Sequence, residues 1–215
     1  VRAIDLDYWK RDELQQIATI GFPLLGVNLN PPPVGRFATE ASGSPQLMQA
    51  ICLQACFELD VREAAAGIRD ITVSEEQIRR VLQETSTRTD FSSLVRNMHT
   101  GPKTRGTERK AFSLTDSSSG DVYRCILLAL ASDPPRLNFP YNELSRRIQR
   151  VCTADTPQAA SIYQACSQIS KMAEDMYPSQ RVVEWDEVDS LLDIIDPYFL
   201  FYLRWSGKLD SLAEG

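Results

Sequence analysis

The chain has 215 residues, 43% hydrophobic and 24% charged, a composition that excludes wholesale disorder and leaves room for one large domain or two small ones. Lys plus Arg number 23 against 29 Asp plus Glu, and the formal net charge of -6 argues against a generic nucleic-acid coat. No apolar run approaches the roughly 20 residues that cross a bilayer, and no secretory signal pattern is visible, so we expect a cytoplasmic protein with no membrane partner. The first residue, Val1 rather than Met, is read as the sign of a fragment or processed product.

In chain order, residues 1–6 are expected as a short strand and residues 7–20 as a helix, with Trp9, Leu14, Ile17 and Ile20 as its stripe and Gly21 as terminator. Three prolines, 31–33, enter a short helix over 34–41. Ser44 then serves as N-cap and Pro45 as first residue of a helix to about Leu59, with Leu47, Met48, Ile51, Cys52 and Ala55 inside. Ser74 to Gln77 reads as a capping box that opens a helix through Glu84. Residues 91–112 carry five basic residues and one acidic, and are expected as a mobile basic connector.

Beyond it, Asp121 to Ala131 and Tyr141 to Cys152 read as helices. Thr156-Pro157 is taken as the cap and first residue of a third helix reaching Met176. Arg181 to Trp185 and Leu191 to Ile195 alternate as a hairpin, and Pro197 to Trp205 is an aromatic-rich last helix. The expected fold is mainly α. A helical bundle covers 1–90, and residues 113–215 form a helix-turn-helix with a small β hairpin, the order of a winged helix.

No constellation for catalysis is visible. The pattern G-x-x-x-x-G-K-[ST] is absent, and the one Gly-Lys pair, Gly207-Lys208, is followed by Leu209. A single histidine, His99, argues against Ser-His-Asp or Cys-His chemistry. Cys52, Cys56, Cys125, Cys152 and Cys166 show no metal-binding spacing and read as small buried hydrophobes in a reducing compartment. Asp186, Glu187 and Asp189 read as a solvated turn. No catalytic and no metal-binding residue is therefore assigned. The sharpest local feature is Gly43-Ser44-Pro45-Gln46, where a glycine before a proline-started helix lets backbone approach a ligand and offers N–H groups. The plain alternative is a well-capped helix.

These pieces carry a resemblance. The stretches WKRDELQQIATIGF, GSPQLMQAICLQAC and ITVSEEQIRRVL resemble the helical lid of an AAA+ or STAND-type ATPase. The ending IIDPYFLFYLRWS is similar to the winged-helix domain that follows such lids in archaeal-type and STAND ATPases. The resemblance implies that Gly43, Ser44, Pro45 and Gln46 touch nucleotide (ATP or ADP with magnesium) held by a core domain absent from these residues. Gln46 and Gln49 stand where such lids place a sensor arginine. The fragment itself is then no enzyme, although its parent is an ATPase. Its partners are its own core or neighbouring subunits, in a homo-oligomer, and the family expectation is signalling or defence.

A second reading is a stand-alone winged-helix DNA-binding regulator. It places Gln158, Ser161, Gln164, Gln168 and Lys171 on the recognition helix, with Arg146, Arg147 and Arg150 as a basic strip toward phosphate. Arg96, Lys103, Arg105, Arg109 and Lys110 of the connector add charge. Against them, residues 113–215 carry nine basic and fifteen acidic residues, which favours a protein-packing role over DNA. The aromatics Tyr198, Phe199, Phe201, Tyr202 and Trp205 are expected to close the domain's own core rather than form an interface.

Overall fold

A computed structural model describes residues 8–30, 32–103, 106 and 108–213, and the strand expected over 1–6 lies outside them. The chain divides into two compact units, one ending at Arg88 and the other starting at Thr89. Both are mainly helical, and no described helix is long and apolar enough to cross a membrane.

The first unit runs α1 (Arg11–Leu24), β1 (Val27–Asn30), α2 (Val34–Glu40), α3 (Pro45–Glu58), β2 (Arg69–Thr72) and α4 (Glu75–Ser86). Helix α1 buries Leu14, Ala18 and Phe22, whereas Ile20 is 58% exposed, so the buried stripe steps by four from Leu14. Gly21 does not end it. The helix passes through Pro23 and stops at Gly26, whose φ of +71° only glycine tolerates easily, and a Cβ there would sit 2.8 Å from the Gly67 carbonyl. Strands β1 and β2 pair in parallel, from Val27 opposite Arg69 to Asn30 opposite Thr72. Leu47, Met48, Ile51 and Ala55 of α3 and Ile78, Val81 and Leu82 of α4 are buried. The expected capping box is present: Ser74 Oγ accepts from Gln77 N at 3.2 Å, and Ser74 N donates to Gln77 Oε1 at 2.9 Å.

The second unit begins with α5 (Ser92–Thr100), inside the span expected to be a mobile connector. Its Leu94, Val95 and Met98 lie on one face in the unit's core, so the connector expectation fails for these residues. A short hairpin, β3 (Phe112–Ser113) with β4 (Ser119–Gly120), leads to α6 (Val122–Ala131). Then follow β5 (Asn138–Pro140), α7 (Tyr141–Val151), α8 (Ala159–Met176), β6 (Val183–Asp186), β7 (Leu191–Ile194), α9 (Pro197–Trp205) and α10 (Lys208–Ser211). Strands β5, β7 and β6 form an antiparallel sheet with β7 in the middle. Helix α8 starts at Ala159 with Gln158 at its cap, not at the expected Thr156-Pro157, and Pro157 is buried instead. Phe199 and Tyr202 of α9 lie in the unit's core, where Phe91 meets Phe199 edge-on at 5.5 Å, Tyr198 packs against that core, and Phe201 is buried as well.

Candidate functional site

In the first unit the residues Gly43, Ser44, Pro45 and Gln46 come together at the start of α3. Gly43 has φ +86°, and a Cβ on it would fall 2.6 Å from Tyr8 Cβ. The close approach that this glycine permits is therefore made by Tyr8, and its carbonyl accepts from Trp9 N at 3.0 Å. Ser44 caps the helix through Oγ, which accepts from Leu47 N at 3.1 Å, while Ser44 N donates to Ala41 O at 2.9 Å. Pro45 has no N–H to give. The Gln46 N–H is left as the first-turn donor without a partner among the described residues, and Gln46 itself is exposed. This arrangement can seat one anionic or acceptor oxygen.

In the second unit the basic strip does not lie on one face. Arg146 and Arg150 are exposed, and Arg146 reaches Glu143 at 3.4 Å. Arg147 is 1% exposed. Its guanidinium donates to the Ser132 carbonyl at 2.8 Å and the Pro134 carbonyl at 2.7 Å, pairs with Glu143 at 3.2 Å, and lies over the Phe139 ring at 5.0 Å. It thus satisfies carbonyls at and beyond the end of α6, and it is not a phosphate ligand. The physical reason is helical spacing, because Leu144, Arg147 and Ile148 share the buried face of α7. Burial pulls the Arg147 pKa down, and Arg147's hydrogen bond holds the Glu143 carboxyl below its usual range.

Gln158, at the cap of α8, and Ser161, Gln164 and Lys171 on the helix are exposed, and Gln168 is half-buried. Arg109, expected to lie in a mobile segment, is instead pinned. It pairs with Asp121, donates to the carbonyls of Thr100 and Pro102, and stacks on Tyr123 at 4.9 Å. Arg105 lies outside the described residues.

Burial disfavours the thiolate at all five cysteines. Burial pushes the Cys52 and Cys166 thiols up to about 12, and it raises those of Cys56, Cys125 and Cys152 as well. Cys125 and Cys152 are buried with their sulfurs 3.8 Å apart, while Cys52 and Cys56 are half-buried. Among the described residues no group of three metal-capable side chains occurs. No family model, curated protein or solved structure matches the chain.

Proposed function

We propose that this chain is the helical lid and winged helix of an AAA+ or STAND-type ATPase. The lid closes over nucleotide held by a core domain outside these residues, and the winged helix relays that state to a partner or neighbouring subunit. The observation that carries the reading is the combination of two features. One is the glycine-serine-proline start of α3 within the α1-β1-α2-α3-β2-α4 unit. The other is the second unit's α6-β5-α7-α8-β6-β7 order with the last strand central, the arrangement expected of a winged helix. The Gln46 N–H, without a partner among the described residues, supports a minor contact to nucleotide rather than a complete site. A shallow apolar groove of about 90 Å³ between α1 and α3, lined by Ile17, Gly21, Leu25, Leu53 and Cys56, supports packing against a further domain.

The test is the reading frame that precedes Val1. A phosphate-binding G-x-x-x-x-G-K-[ST] loop there, with ATP hydrolysis by the longer protein that Gly43→Ala impairs, upholds the reading. A preceding frame without such a loop refutes it.

The exposed α8 face with Arg146 and Arg150 favours the alternative, a DNA-binding regulator. That reading requires a salt-dependent mobility shift with duplex DNA, because phosphate contacts release counterions. The shift must be lost when Arg146 and Arg150 are changed to Glu.

A further inference from the structure

In the second unit a cleft of about 920 Å³ opens between Pro102, Lys103, Arg109, Lys110 and Phe112 and the first half of α8. Sites for small organic ligands span roughly 300–1,000 Å³. One wall carries Lys103, Arg109 and Lys110. The facing wall carries Asp155, Thr156, Gln158, Ser161 and Gln164, and the floor includes Phe112, Val122 and Ala165.

Arg109 is tied to Asp121 and to the Thr100 and Pro102 carbonyls, so its own guanidinium is fixed in the cleft wall. Lys103 and the side chains of Thr156, Gln158, Ser161 and Gln164 have no partner among the described residues. Lys110 pairs with Asp155 at 3.0 Å, but both side chains are largely exposed, at 64% and 79%, and such a pair yields readily to a ligand.

Charge limits the size of that ligand. Tyr163 of α8 donates to Ser190 Oγ at 3.0 Å and meets Trp185 edge-on at 5.3 Å, which places the turn bearing Asp186, Glu187 and Asp189 beside the helix. A duplex laid across α8 would meet these carboxylates. None of these three carboxylates lines the cleft, where the acid among the described lining residues is Asp155, already paired with Lys110. The Gln158 and Gln164 amides each present a donor and an acceptor, the complement of a nucleobase edge, and the apolar floor suits the face of a ring.

We propose that this cleft binds a phosphate-bearing ligand of mononucleotide size, with its phosphates between Lys103 and Lys110 and its base edge on Gln158 and Gln164. The site lies wholly in the second unit and does not rest on the lid reading. The shared chemistry belongs both to a free nucleotide and to the phosphorylated end of a single strand.

The test is fluorescence anisotropy of N-methylanthraniloyl-ATP with the full chain. Saturable binding is expected, displaced by unlabelled ATP and weakened about tenfold by Lys103→Ala with Lys110→Ala. Lys103→Ala alone, at an exposed position without a partner among the described residues, gives a smaller loss with an unchanged circular dichroism spectrum. Gln158→Ala with Gln164→Ala removes the preference for ATP over inorganic triphosphate. Competition by a short 5′-phosphorylated thymidine strand identifies a strand end as a source of the ligand, and its failure to compete identifies a free nucleotide. The proposal is overturned by any of three results: no saturable binding, loss of binding with Gly43→Ala but not with the lysine changes, or a short duplex competing more strongly than either probe.

Discussion

Arg124 donates to the carbonyl of Leu209, 85 positions further along the chain, at 3.1 Å. The same buried guanidinium pairs with Asp116 at 2.9 Å and donates to Ser118 Oγ at 3.2 Å. One side chain on α6 thereby joins the β3–β4 turn to α10. Removing it leaves a buried carbonyl and a carboxylate without their partner. We expect Arg124→Ala to destabilise the second unit by about 3 kcal/mol. Urea unfolding followed by Trp fluorescence measures this, and a loss below about 1 kcal/mol would contradict it.

His99 gives the pH dependence. Its Nε2 lies 3.4 Å from Arg124 Nη1. Burial first, and then the Arg124 charge, hold its pKa below the ordinary 6.5, with Asp121 opposing. The fold favours the neutral ring, so this contribution is fully present above pH 6.5 and is lost as pH falls through the lowered folded value. The ring is half-buried, so the loss stays under about 1 kcal/mol. Urea midpoints between pH 7.5 and 5 should drop in the parent chain and drop less in His99→Gln.

The α3 start separates backbone strain from capping. Ser44→Ala should cost about 1 kcal/mol, and Ser44→Asp should restore it. Gly43→Ala should cost more, about 2 kcal/mol, because of the positive φ and the collision with Tyr8 Cβ. Tyr8→Gly in that background should recover only the steric part. Thermal melts of the four variants resolve the two contributions.

The arginines of α7 should behave unequally. Arg147→Ala should cost about 3 kcal/mol, since two carbonyls and Glu143 lose a buried charged donor. Arg146→Ala and Arg150→Ala, both at exposed positions, should stay within about 0.5 kcal/mol. Equal effects from all three would mean that Arg147 is not buried in solution.

Where a cap and an apolar stripe coincide, the sequence is legible. Asp196-Pro197 opens α9, Ser44-Pro45 opens α3 and Ser74 opens α4, each where expected. Helix α5 is less legible, because its three core residues stand beside a run dominated by charge and glycine. Strands β1 and β2 span only four residues each and pair across a long separation, so neither local alternation nor a turn signal marks them. Arg147 was readable in principle, since it falls three residues after Leu144 on the apolar spacing of α7. The sign of its charge concealed its place. The cleft beside α8 is assembled from distant segments, and only the folded chain brings Lys103 and Lys110 opposite Gln158 and Gln164.

The central place of β7 sets an order of assembly during synthesis. Asn138 meets Asp193 and Val183 meets Ile194, so neither outer strand has a neighbour until the ribosome has delivered the segment between them. A nascent chain halted after α8 would hold β5 with a bare edge, open to pairing with another polypeptide. The second unit is thus completed late, almost at its last turn of helix, and interrupted translation products of this protein should be its most aggregation-prone forms.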